Sequence, residues 1–242
     1  MAFTADEVRR EAQTFLDGAG QSQSAYLHIL DGIAKYHKYP LEQQVMLAYA
    51  PSIYTAVADR RIWEEFFHVQ IKESASGVAI PDEKSPIAIK TVYDVSETEG
   101  WPDGKQPDLL WHFDAERDSG VFHGLADENV SSMDGLLQTC WNVEDAYAGS
   151  EKSGAERLLL AASLGYVLMK RLGFSQEAEL HAEQTITEDL LRSANTVPLQ
   201  EISDISREIS RAPTPAPAVS LIPARWQKHT ARRNTMRWPY WN

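Results

Sequence analysis

The sequence predicts an α+β protein: N-terminal helices with a small antiparallel sheet, followed by a helical bundle and a disordered tail. Three observations lead there. The first fifty residues place apolar side chains at helical spacing between capping signals. Between residues 68 and 94 the hydrophobic period drops to two and β-branched residues accumulate. The stretch Ala155 to Lys170 is apolar around most of its circumference, as suits a helix in the middle of a bundle. Residues 1–100 are expected to form one α+β domain, 101–211 a helical domain packed on it, and 212–242 a Pro-rich linker with a basic aromatic tail.

Thr4-Ala-Asp-Glu7 is a capping-box pattern, so a helix is expected from there to about Asp17, ended by Gly18-Ala-Gly20. Ser22 or Ser24 starts a second helix, with Tyr26, Ile29, Leu30 and Ile33 along one stripe. It breaks near Tyr39-Pro40, because the proline ring disfavours helical geometry in the residue before it. A third helix runs from Leu41 to Tyr49, and a short one carries Arg60, Arg61, Trp63, Phe66 and Phe67. His68-Val-Gln-Ile-Lys72 alternates as a half-buried strand does, and Gly77–Ile80 and Ile87–Asp94 are further strands around a turn at Lys84-Ser-Pro86. Gly100-Trp-Pro-Asp-Gly104 reads as a turn-rich linker. Helices are expected near 117–126, 131–147, 154–172, 175–192 and 197–211, with Gly173 as a C-terminal cap. Pro213-Thr-Pro-Ala-Pro217 favours extended geometry, and the segment Arg225 to Asn242 has no amphipathic period.

The chain has 242 residues, 43% of them hydrophobic and 24% charged, an ordinary globular composition. No apolar run is long enough for a membrane span, and the charged N-terminus reads as a helix start rather than a signal peptide. Cys140 is the one cysteine; its apolar helical context reads as packing, and a cytoplasmic protein fits. The net charge is −12, unevenly spread. Residues 212–242 hold Arg225, Lys228, Arg232, Arg233 and Arg237 and no acid, leaving 18 basic against 35 acidic residues in 1–211. Such a body repels nucleic acid at long range, so a nucleic-acid site has to be a local patch.

No His-Glu-x-x-His, glycine-rich phosphate loop, Gly-x-Ser-x-Gly or cysteine pair is present, and no two histidines lie four apart. Paired acids such as Glu64-Glu65, Asp114/Glu116 and Asp127-Glu128 read as solvated faces. No catalytic residue, metal ligand or cofactor is assigned. The positive constellation is aromatic plus basic: Tyr36, His37, Lys38 and Tyr39 in one run, and Arg60, Arg61, Trp63, Phe67, Lys72, Lys90 and Tyr93 around the expected sheet. Single-stranded nucleic acid is held by such mixtures, bases stacking on rings while Lys and Arg take phosphates. Trp63 and Phe66 read instead as core of the helix–sheet interface.

The residues Tyr49-Ala-Pro51, Tyr54-Thr-Ala-Val-Ala58, Trp63, Val69-Gln-Ile-Lys72, Gly77-Val-Ala-Ile80 and, most specifically, Val92-Tyr-Asp-Val-Ser-Glu-Thr-Glu-Gly100 resemble the ArdC-like N-terminal domain of plasmids and conjugative elements. The resemblance covers roughly residues 25–100. Ser163–Phe174 and Asn195–Ser206 are similar to the segment that follows this domain in large helicase-methylase proteins of Firmicutes mobile elements. The resemblance implies binding of single-stranded DNA and, in some members, protection of incoming DNA from restriction. Some members add a zinc-protease half; its motif is missing here, so proteolysis is not implied.

The expected function is therefore a non-enzymatic accessory protein of a mobile element or phage. It would bind single-stranded DNA, with Arg60, Arg61, Lys72 and Lys90, joined by Lys38, on phosphates and Tyr36, Tyr39 and Tyr93 as stacking rings. The alternative is an acidic counter-defence protein, of anti-restriction or anti-CRISPR type, that binds and inhibits a host protein. No membrane partner is expected.

Overall fold

A computed structural model describes residues 4–51, 54–85, 87–104, 137, 138, 140–144 and 154–209. The first helix, α1 (Ala5–Gly18), opens on the expected capping box: Thr4 Oγ1 accepts from the Glu7 amide, and the Glu7 carboxylate accepts from the Thr4 amide at 2.8 Å. Ser22 caps α2 (Gln23–Lys35) by accepting from the Ala25 amide. The chain turns over residues 36–39 before Pro40, and α3 (Leu41–Ala48) follows. Among the C-terminal elements, α4 (Gly154–Arg171), α5 (Ser175–Thr185), α6 (Glu188–Ser193) and α7 (Leu199–Ile209) form the expected helical half. Residues 137, 138 and 140–144 are helical as well. The expected helix near 117–126, the flanks of 131–147 and the tail 212–242 lie outside the described residues.

One expected helix is two. The segment 175–192 breaks at Ile186, and the Thr187 hydroxyl accepts from the Leu190 amide to start α6.

The strands are β1 (Val57–Asp59), β2 (Gln70–Ile71), β3 (Val78–Pro81), β4 (Ile89–Asp94) and β5 (Thr98–Glu99). They make an antiparallel sheet in the order β1-β4-β3 and a separate antiparallel pair β2-β5. The expected strand at 68–72 is thus shorter, and β1 and β5 are strands the sequence pattern did not announce. Val57 pairs with Asp94, Ala58 with Tyr93, Val78 with Val92 and Ile80 with Lys90. Opposed residues share a face, so Val78, Ile80 and Val92 pack on α1 and α3, while Ala58 and Tyr93 face the second pair.

The string from Val92 to Gly100 is the joint of this half. Asp94, 1% exposed, accepts from the amides of Thr55, Ala56 and Ser96 and from the Thr55 hydroxyl. The Glu97 carboxylate accepts from the amides of Ser76, Gly77 and Asp94. Two carboxylates thereby satisfy the backbone where three segments meet, and strands too short to hold themselves are kept in register. Gly77 is required beside them: its φ is +59°, and an added Cβ would lie 2.8 Å from the Val92 carbonyl oxygen.

The largest core joins both halves of the chain. Tyr26, Ile29, Leu30 and Ile33 of α2 pack with Leu159, Leu160, Leu164 and Val167 of α4, a helix buried on most sides as expected. Ser163 donates its proton to the Leu159 carbonyl at 2.6 Å, so the Tyr26 hydroxyl is the donor in its 2.7 Å bond to Ser163 Oγ. Gly32 lets α2 and α3 approach, since a Cβ there would come within 2.7 Å of the Ala48 Cβ. Among the described residues, no helix is long and apolar enough to cross a membrane.

Candidate nucleic-acid interface

The eight residues expected to bind nucleic acid divide among separate places. Tyr36 is a correction: it is 6% exposed, sits in the core over α3 and β3, and donates to the Tyr54 carbonyl at 3.0 Å. Its ring is not available for stacking, and burial raises its phenol above the ordinary range. Tyr39 donates to the Val57 carbonyl at 2.8 Å, with the Lys90 ammonium 5.7 Å from its ring centroid. Lys90 and Tyr93 are three apart on β4, and an odd spacing on a strand puts them on opposite faces. Lys38 belongs to a third place, beside Arg171. That leaves Arg60, Arg61, Lys72 and Tyr93 around the second strand pair.

Here a π-helical turn, Ile62–Phe66, carries the chain from β1 towards β2. Wide helical turns of this kind recur at functional sites. Trp63 is buried at its centre and donates to the Tyr93 carbonyl at 2.9 Å. Phe67 lies 5.1 Å from Trp63 and 5.2 Å from Phe66, centroid to centroid, and Trp101 closes the group 5.9 Å from Phe67. Phe66, Phe67, Tyr93 and Trp101 are all half-buried. His68 ends the turn at φ +55°, an unusual conformation for a residue other than glycine.

Arg60 lies over the Tyr93 ring at 5.3 Å and pairs with Glu64 at 2.7 Å. Arg61 is exposed. The Lys72 ammonium donates to the Ser96 carbonyl at 2.6 Å, at the margin of the same group. Trp63 is core, as expected; Phe66, expected there with it, is only half-buried, and Phe67 packs half-buried against the Trp63 cluster. Trp101 was missed because Gly100-Trp-Pro reads as a linker; its indole donates to Thr98 Oγ1 at 2.7 Å, which anchors the ring.

The run around Lys38 has a structural explanation. The ends of α2, α4 and α7 meet there: Arg171, the last residue of α4, donates to the Ser206 carbonyl in the last turn of α7 at 2.7 Å. Cations suit helix C-termini. Burial lowers the Arg171 guanidinium to about 9. Burial, then the charges of Arg171 and Lys38, hold His37 well below its usual value. Burial and Arg171 also lower Lys38, and its continued access to solvent limits that effect.

A histidine depressed in the folded state is neutral in both states above its unfolded pKa. On acidification the unfolded chain binds the proton first, so stability is lost as pH falls below about 6.5. His37→Gln is therefore expected to flatten the fall in urea midpoint between pH 7 and pH 5. An unchanged slope would show that other groups set it.

Cys140 is buried and its thiol is pushed up to about 12 by that burial, so it is an inert packing group, as its context suggested. Among the described residues, no group of His, Cys, Asp and Glu is arranged to hold a metal ion. Glu64 and Glu65 are exposed, on the solvated face expected of them. No family model, curated protein or solved structure matches this chain.

Proposed function

We propose that the chain is a non-enzymatic accessory protein that binds single-stranded DNA on the ring group of Phe66, Phe67, Tyr93 and Trp101. The observation that carries this reading is the clustering of half-buried rings around Trp63 with Arg60, Arg61 and Lys72 at their margin. Rings of this kind accept bases of any sequence, each stack being worth about 1–3 kcal/mol, and the flanking cations take phosphates. The resemblance of residues 25–100 to ArdC-like domains supports the same reading and adds a setting, protection of incoming mobile-element or phage DNA. Tyr36 drops out of the proposed site, and Lys38, Tyr39 and Lys90 lie outside it.

The test is fluorescence anisotropy of a labelled single strand of about 30 nucleotides, a length spanning several stacked bases. With three cations at the margin, the logarithm of affinity should fall with the logarithm of salt at a slope of about −2, because each single-strand phosphate contact contributes about −0.7. Phe66→Ala should weaken binding about tenfold, one stacked base, and Arg61→Ala should flatten the salt slope. No binding at low salt would overturn the reading.

The acidic body favours a second reading, a counter-defence protein that engages a basic host protein. It predicts capture of such a protein and no affinity for DNA.

A further inference from the structure

One face of Tyr93 is already occupied. Ala58 of β1 pairs with Tyr93 of β4, and Arg60 follows directly after β1. That placement sets the Arg60 guanidinium over the Tyr93 ring, its carbon 5.3 Å from the centroid. A base stacked on the same face would bring its atoms about 3.5–4 Å from the ring, into the space the guanidinium fills. That face and a base meet only when Arg60 leaves it.

Glu64 keeps Arg60 in place. Its Oε1 accepts from Arg60 Nη1 at 2.7 Å. Asp59, next to Arg60 in the chain, accepts from the Ile62 amide at 3.0 Å, where the turn that carries Glu64 begins. Both partners of the ion pair stay open to water, the Arg60 side chain 53% exposed and Glu64 41%. An i,i+4 pair as exposed as this is worth only about a factor of two in equilibrium. Glu64 holds the guanidinium by one bond, whereas a phosphate fits its planar fork bidentately. A nucleotide of a single strand therefore brings both halves of an exchange: its phosphate takes Arg60 from Glu64, and a base takes the ring face that Arg60 leaves.

We propose that Arg60 and Glu64 form a latch over Tyr93, with Glu64 a positioning residue that holds Arg60 across the ring until a single-stranded DNA phosphate draws it away. A duplex offers Arg60 the phosphate but keeps its bases stacked inside, so the latch favours single strands. The proposal rests on the DNA-binding reading, and its free state is read without DNA.

The test is two measurements on the full chain. In the ¹H–¹⁵N spectrum of the free protein, the Arg60 Hε proton should be shielded by the ring. Tyr93→Leu should remove that shielding, and Glu64→Ala should move the signal towards its Tyr93→Leu position. In fluorescence anisotropy, Glu64→Ala should tighten a labelled single strand about twofold more than it tightens the duplex of the same sequence, the worth of the exposed pair. The duplex registers the loss of one negative charge alone. In an Arg60→Gln background the twofold difference should vanish. Equal tightening of both strand forms, a difference that persists without Arg60, or weaker single-strand binding by Glu64→Ala would each overturn the latch. DNA binding by a chain whose Arg60 proton is unshielded would overturn the latch alone. No binding at low salt by a chain whose Arg60 proton is shielded would overturn the DNA reading and, with it, the latch's ligand.

Discussion

Asp94→Ala is expected to lower the stability of the chain by on the order of 4 kcal/mol, since each orphaned amide costs about 1–3 kcal/mol. The carboxylate it removes is buried and accepts from Thr55, Ala56 and Ser96 amides together. No neighbouring side chain takes over: Glu97 is already engaged by Ser76, Gly77 and Asp94 itself. Domains are stable by only about 5–15 kcal/mol in total, so such a loss approaches unfolding at room temperature. Asp94→Asn separates acceptor from charge. It keeps one acceptor but turns an NH2 group towards backbone amides, and should cost nearly as much as alanine. Urea unfolding followed by circular dichroism measures both, and a loss under about 1 kcal/mol for Asp94→Ala would mean the joint is not what holds the strands.

Trp63→Ala should cost about 3–5 kcal/mol, the usual range for deleting a large buried aromatic. Its consequence reaches beyond stability. Trp63 is the contact beneath Phe67 and Trp101, and its indole fixes the Tyr93 carbonyl. With it gone, the rings proposed to take bases lose their support and their mutual angles. The near-ultraviolet circular dichroism of the remaining aromatics should therefore fall before the far-ultraviolet signal does. Trp63→Phe keeps a ring and loses only the N–H; it should cost less and preserve most of that signal. Equal losses for the two substitutions would point to the hydrogen bond, not the ring, as the support.

Where structure is local, the sequence was readable. The Thr4–Glu7 capping box, α3 between two prolines, the apolar circumference of α4 and Gly173 at φ +88° each depend on residues within a turn of one another. The strands β1 and β5 were not readable, because elements of two or three residues carry no period; carboxylates distant in sequence hold their register. Ile186-Thr187 was a missed break: threonine before two acids is a capping signal inside an otherwise helical pattern. The candidate site was half legible. Residue types were right for base stacking, but adjacency in the chain hid direction. Tyr36 and Tyr39 spend their hydroxyls on backbone carbonyls, whereas Phe66, Phe67 and Trp101 gather around Trp63. The separation of Lys90 from Tyr93 could have been read from their odd spacing on one strand.

The packing of α2 on α4 sets a schedule for synthesis. The stripe of Tyr26, Ile29, Leu30 and Ile33 finds its mates at Leu159, Leu160 and Leu164, and the Tyr26–Ser163 bond closes a loop of 137 residues. At about 5–20 residues per second, a ribosome that has made α2 needs several seconds more to make α4. For that interval α2 has native cover from α3, through Leu41 and Val45, and the face that α4 buries stays bare. Loop closure over such a span is also slow once both helices exist. Completion of the shared core therefore waits first on α4 and then on α7, whose Leu199 and Ile202 join the same cluster.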